Sequence, residues 1–544
     1  MHSATLRRLS LLLAFAVSAL APDAAAQSEL AVAPGQGTLN TAIENDTNRP
    51  DDRVYVLTRG AYYGVTREIN NPDFTLRIKA AEGEGNRPVI HPGIDDTGSP
   101  VASRYFNLAD DTYFDGIYFL AVNPQEGENA TSFALNTEGM RLEVDDCVFQ
   151  GGRSRLIEIN ADDTDLFFRD SQFRNLVRND GSSNGRPIDY RTVRGDTLLV
   201  TNTSFINVSG YLVRYDGPVL NTAIFDHVTV YTTNRELTTN SFATQAINYR
   251  FSNSLVVNPY GLGQDPPDEG GEPSGVLRVD SLDSGIDNGF TEGDRMIVFR
   301  DNGFMITDDL QAFYQARTDS GDPIVARQLI NTTTREYADA NPSTVTLARN
   351  ETYDITFTTP PTEGMEQYIV WLGSFRDGAA DPGTWLFGEE DGNYFPATQP
   401  PPEDLSYGES EPAYTAGQGG YPLGDLSYFP ALREQWEAEG GLSVDGEAGP
   451  SDADFALRPA YPNPAASSTS LRLDLDAPAS VAVEVFDALG RRVLALPAQP
   501  LAAGAGHELR LDARSLASGV YLARVSVTAG GDLRAQTARF TISR

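Results

Sequence analysis

Val144-Asp145-Asp146-Cys147-Val148-Phe149 and Phe168-Arg169-Asp170-Ser171-Gln172-Phe173 carry one pattern: an apolar residue, a polar pair, a small residue and an apolar close. The pattern recurs at 114–119, 200–205, 225–230 and 251–256. The first residues of the six units stand 30, 24, 32, 25 and 26 apart. Asn175, Asn207 and Asn258 each follow a unit by two residues. A period of roughly 25 residues in β-rich sequence marks a stacked solenoid, whose coils bury a continuous core only against their neighbours.

The units are rich in Val, Ile, Phe, Tyr and Thr and alternate with period two, so they supply strands, not helices. The spacing predicts a right-handed parallel β-helix with about three strands per coil over 27–285. Residues 53–60 and 74–90 read as incomplete first coils. Residues 38–44, with Leu39, Ala42 and Ile43, read as a short amphipathic helix covering the open end, where exposed strand edges need a cap. Asn recurring at one coil position predicts a hydrogen-bonded ladder, and Cys147 and Ser171 suit tight inward corners.

Among 544 residues, 76 are Asp or Glu against 41 Lys or Arg, a net charge of −35. That balance opposes nucleic acid and anionic membrane as partners. Cys147 is the lone cysteine, which excludes an intramolecular disulfide. Arg7 and Arg8 precede an apolar run from Leu9 to Leu20 and then Ala24-Ala25-Ala26, so 1–26 reads as a signal peptide. No other stretch is apolar for long enough to span a bilayer.

Tyr461-Pro462-Asn463-Pro464 opens a C-terminal segment with strand-like stretches at 470–475, 481–486 and 520–527. Between them lie Asp487-Ala488-Leu489-Gly490-Arg491-Arg492-Val493 and Ala517-Ser518-Gly519-Val520-Tyr521-Leu522-Ala523-Arg524, and Phe540-Thr541-Ile542-Ser543-Arg544 follows. Residues 455–544 resemble the type A C-terminal sorting domain of the type IX secretion system. The resemblance implies a small β-sandwich, engagement with the secretion machinery, and export across both membranes to the cell surface or medium. A Gly/Glu/Asp-rich linker, 446–454, precedes it. Residues 286–445 read as an irregular β-rich extension capping the solenoid.

The coil patterning at 144–151 and 168–175, with Gly420-Tyr421-Pro422-Leu423-Gly424-Asp425-Leu426-Ser427-Tyr428-Phe429-Pro430, resembles secreted β-helix proteins of Bacteroidota-type bacteria. These include chondroitinase-B-like polysaccharide lyases and related domains of unassigned function. The resemblance implies a carbohydrate ligand, and fold alone implies no catalysis. A lyase needs a group to neutralise the uronate, often Ca²⁺ on Asp or Glu, and an Arg or Lys base. The one lysine, Lys79, falls in an early coil, away from the middle of the solenoid.

Second strands align as 156–160, 187–191, 212–216 and 246–250. With Ile157, Ile188, Val213 and Ile247 inward, Glu158, Asp189, Arg214 and Asn248 form one outward column at about 4.8 Å spacing. Such a column could hold a cation beside Arg214 as base, or be a solvated face with an Asp189–Arg214 salt bridge. The excursion 177–195 adds Arg178, Arg186, Arg191 and Arg194, which either clamp sulfate or carboxylate groups or lie in water. In 286–445, residues 352–359 and 367–371 read as strands and 310–317 as a helix. Trp371, Trp385 and Trp436 either stack on sugar or plug the solenoid's C-terminal end. The expectation is a monomeric, secreted or surface β-helix that binds carbohydrate through Glu158, Asp189, Arg186, Arg191, Arg194 and Asn248. The alternative is a lyase on an acidic glycan.

Overall fold

The computed structural model describes residues 28–544 except 102–103, 123–130, 269–270, 284–288, 389–402, 439–440, 442–454, 462–464, 466–467, 476–477, 488–491, 515, 517–518, 530–531 and 543–544. The expected signal peptide, the linker 446–454 and parts of the tail motifs lie outside the described residues.

Each repeat closes one coil of a three-faced parallel β-helix. The first face stacks Glu29–Val32, Val54–Leu57, Leu76–Ala80, Thr112–Asp115, Arg141–Asp145 and Thr164–Arg169 in register. The second stacks Tyr62–Val65, Val89–Pro92, Tyr118–Leu120, Val148–Gln150 and Gln172–Leu176. The third stacks Ile69–Asn70, Phe106–Leu108, Phe133–Leu135, Arg155–Ile159, Arg186–Tyr190 and Val213–Tyr215. Gly195–Val208 and Leu220–Thr233 bend around a corner and serve the first two faces at once.

The polar pair in each repeat is that corner. Its second member takes a left-handed backbone in Asp146, Asp170, Asn202 and Asn253, at φ 48°, 50°, 43° and 52°. Asn and Asp tolerate this region better than other side-chain-bearing residues. The small residue that follows ties one coil to the next: Ser171 Oγ accepts from Cys147 N at 3.1 Å and donates to Arg169 O at 2.6 Å. Ser254 Oγ repeats the arrangement, accepting from Val228 N at 3.0 Å. Inside, the repeat's closing phenylalanines Phe119, Phe149, Phe173 and Phe205 stack with centroids 5.0, 4.7 and 5.1 Å apart. The helix Thr38–Asn45 buries Leu39 and Ile43 at the open end.

The Asn ladder is shorter than its spacing predicts. Asn207 donates to Asn175 Oδ1 at 2.8 Å, but the intervening coil carries Thr232, and Asn258 bonds Thr307 instead. A second, surface ladder runs along the third face, where Asn107 donates to Asn70, Asn136 to Asn107 and Asn160 to Asn136 at 2.7, 2.8 and 3.1 Å.

The coils continue past residue 285. Met296–Met305 pairs with both Ala246–Ser252 and Leu255–Val257, and Val345–Thr352 pairs with Met296–Met305. Long insertions between these strands hide the period. The expected helix at 310–317 lies within Asp308–Asp319. The expected strand 367–371 is instead the middle of the helix Thr362–Arg376, whose Met365, Tyr368, Trp371 and Leu372 are buried. Their i, i+3, i+6 and i+7 positions mark one helical face. Residues 352–359 are not one strand; Val345–Thr352 ends and Phe357–Thr359 pairs antiparallel with Asp404–Tyr407.

The extension does not plug the solenoid's end with its tryptophans. Trp371 and Trp385 pack at 4.1 Å against the side of the second face, in a cluster with Val177, Ile206, Tyr231, Leu255 and Val257. Polar contacts pin the layer: Asn175 exchanges hydrogen bonds of 2.9 Å with both Phe387 N and Phe387 O. Trp385 Nε1 donates to Asn207, and the buried Arg174 pairs with the buried Glu403. Asp425 accepts from Ser204 Oγ at 2.7 Å, and its own N donates to Thr229.

The C-terminal segment is an antiparallel sandwich. One sheet holds Phe455–Tyr461, Ser468–Leu475 and Gly504–Asp512. The other holds Arg492–Leu501, Ala479–Asp487, Gly519–Ala529 and Asp532–Ile542. Leu471, Leu473, Val483, Val525 and Phe540 fill the space between them.

Candidate functional site

On the third face, parallel pairing sets Glu158 opposite Asp189 and Asp189 opposite Arg214. Ile157, Ile188 and Val213 point inward with no exposed surface. Three of the four expected column members therefore stand side by side. Asn248 does not join them. Its strand lies on the first face, opposite Thr222 and Met296, because the residues after Arg214 spend a coil on a bridge at Thr238 and the helix Asn240–Gln245.

The column is not a solvated face. Asp189 is fully buried and Glu158 only 7% exposed. Arg186 Nη2 lies 2.9 Å from Asp189, Arg191 Nη1 at 3.7 Å and Arg214 Nη1 at 3.9 Å. Arg155 Nε lies 2.8 Å from Glu158, with Arg191 Nε at 3.8 Å, and Arg214 also pairs with Asp216. Burial raises the Asp189 carboxyl, opposed by Arg186, Arg214, Arg191 and Arg155 in that order. Burial likewise lowers Arg186, opposed by Asp189.

Arg155 was not among the expected site residues. The signal was its place three residues before Glu158, matching Arg186 before Asp189, and the two arginines pair in register. Arg194 stands apart, 3.4 Å from Asp163, as does Arg178, 2.8 Å from Asp180. Arg153, exposed in the turn leading into the strand, has no carboxylate partner among the described residues.

The chemistry of this set follows from its charge. Four guanidiniums meet three carboxylates, a local surplus of positive charge on a chain of net −35. Arg155, Arg191 and Arg214 keep 31%, 38% and 29% of their side chains exposed above the buried acids. Planar guanidiniums held by carboxylates beneath them present fixed donors to an incoming anion. The donor set does not fit the Ca²⁺ expectation, since Glu158 and Asp189 already face arginines. Among the described residues no group of three or more His, Cys, Asp or Glu side chains could hold a metal ion. Arg214 lies between two carboxylates, 3.9 Å from Asp189 and paired with Asp216. Lys79 is held by Glu29 at 2.8 Å and Glu82 at 3.3 Å, and the Glu29 bond raises its pKa. Among the described residues no helix is long and apolar enough to cross a membrane.

Residues 459–533 match the family model described as a secretion system C-terminal sorting domain. No curated protein matches the chain. Among solved structures, dimeric latent PorU from Porphyromonas gingivalis aligns at 23% identity with a TM-score of 0.15, over 16% of this chain and 9% of that one. So little overlap carries no argument about the solenoid. The matched sorting domain marks the chain as one exported by the type IX secretion system to the cell surface or the extracellular space.

Proposed function

We propose that the protein binds an acidic polysaccharide on the third face of its solenoid and does not cleave it. The observation that carries this reading is the trio Arg155, Arg191 and Arg214, half-exposed over the buried Glu158 and Asp189. Long-range repulsion from a chain of −35 works against any polyanion, so a site for one needs a concentrated positive patch. The surface ladder Asn70–Asn107–Asn136–Asn160 adjoins it and offers amide groups to sugar hydroxyls. A lyase would need a base beside the bound uronate, and Arg155, Arg191 and Arg214 are each engaged by a carboxylate.

The test is calorimetric titration of the full chain with polygalacturonate, alginate, chondroitin sulfate and neutral dextran, with ultraviolet absorbance followed for unsaturated uronide. Saturable binding of one acidic polymer, a flat absorbance trace, and loss of at least tenfold in affinity in an Arg155→Ala/Arg191→Ala/Arg214→Ala variant are expected. Rising absorbance would overturn the non-catalytic reading, and unchanged affinity in the variant would overturn the site.

A further inference from the structure

We infer that a second site, at the C-terminal end of the solenoid, takes a neutral sugar ring. A groove of about 500 Å³ opens between the last two coils and the start of the helix Asp308–Asp319. That volume falls within the range of about 300–1,000 Å³ usual for small-ligand sites. Met305, Ile306 and Tyr353 give it an apolar, partly buried lining, while Asp308, Gln311 and Asp354 are exposed around it.

The polar groups set the ligand class. Among the described residues nothing pairs with the carboxylates of Asp308 or Asp354, and no cation lines the groove. Gln311 Nε2 donates to Ile306 O at 2.7 Å, which leaves its carbonyl to accept. The rim is thus rich in acceptors. The helix adds donors, because its first-turn N–H groups carry no side-chain cap. A ligand that donates several hydrogen bonds, accepts a few and offers an apolar face to a tyrosine ring is an uncharged pyranose. An acidic sugar is excluded by the two carboxylates. The groove is formed by Met296–Met305 and Val345–Thr352, strands of the first two faces, so it is separate from the arginine cluster and does not depend on it.

Saturation-transfer NMR and calorimetry on the full chain, with methyl β-glucoside as probe and glucuronate and glucosamine as charged comparators, test the assignment. Expected are saturable binding of the neutral glycoside at least tenfold tighter than glucuronate, and a loss of tenfold or more in Tyr353→Ala. The exposed pair Asp308→Asn/Asp354→Asn leaves the fold intact and is expected to narrow the discrimination against glucuronate severalfold. The Arg155, Arg191 and Arg214 substitutions leave this binding unchanged. No binding of the glycoside, equal binding by Tyr353→Ala, or binding of glucosamine alone would each overturn it.

Discussion

The second and third faces of this solenoid share the same coils yet end in opposite states. On the second, outward positions carry Ile206, Tyr231, Leu255 and Val257, and the extension from residue 353 onward covers them with Tyr368, Trp371 and Trp385. On the third, outward positions carry Glu158, Asp189, Arg191 and Arg214, and the arginine heads remain in water. The inward residues of both faces are interchangeable apolar side chains. What differs is the residue one step along each strand, where a period of two sends every alternate side chain outward. In this chain the fold is thus set by one register of the pattern and the surface chemistry by the other.

Breaking the covered face gives the largest effect. Arg174→Ala leaves Glu403 buried without its partner and is expected to cost about 3–5 kcal/mol, read as a shift in urea midpoint. Phe173→Ala opens the shared phenylalanine stack and is expected to cost a similar ~3–5 kcal/mol, which shows how far both faces rest on one core. Trp385→Phe exchanges the buried indole for a smaller phenyl and deletes the donor to Asn207, for about 1–3 kcal/mol.

The seam between solenoid and extension also responds to pH. Burial, with Asp145, Asp425 and Glu437 nearby, pushes Asp170 up to about 7, and Arg433 at 3.2 Å only partly opposes this. The folded chain then holds a proton that the unfolded chain, with an ordinary carboxylate, has released. Stability from this group is fully present below the ordinary carboxylate range and is lost as pH rises from there through about 7. Urea midpoints at pH 8 and pH 5 are expected to differ less in Asp170→Asn than in the parent chain. The smallest change is on the open face, where Arg191→Ala is expected to alter stability by no more than ~0.5 kcal/mol while weakening polysaccharide binding.

How much of this was legible follows from the same division. The polar pair was plain because Asp146, Asp170, Asn202 and Asn253 recur at one coil position, but their left-handed backbone shows only in the fold. The six units between 114 and 256, with their spacing, were enough to read a parallel β-helix. The Glu158–Asp189–Arg214 column was found by aligning strands, and the same alignment misplaced Asn248. The reason is that the short helix Asn240–Gln245 takes up the length of chain that a third-face strand would have used. Burial of Asp189 was not legible, since it depends on how Arg186 of its own strand and Arg155 and Arg214 of the neighbouring coils gather around it. The extension was hardest to read, because the apolar side chains of Thr362–Arg376 are recognisable as a helix face only once their partners on the solenoid are known.

Hydrogen–deuterium exchange of the full chain, with and without a saturating acidic polysaccharide, tests the contrast between the two faces most directly. The account predicts slowed exchange confined to residues 153–155, 178–185, 191–195 and 214–216, beside the arginine cluster, with the helix Thr362–Arg376 unchanged. Slowing over that helix, or none around the cluster while the polymer is bound, would contradict it.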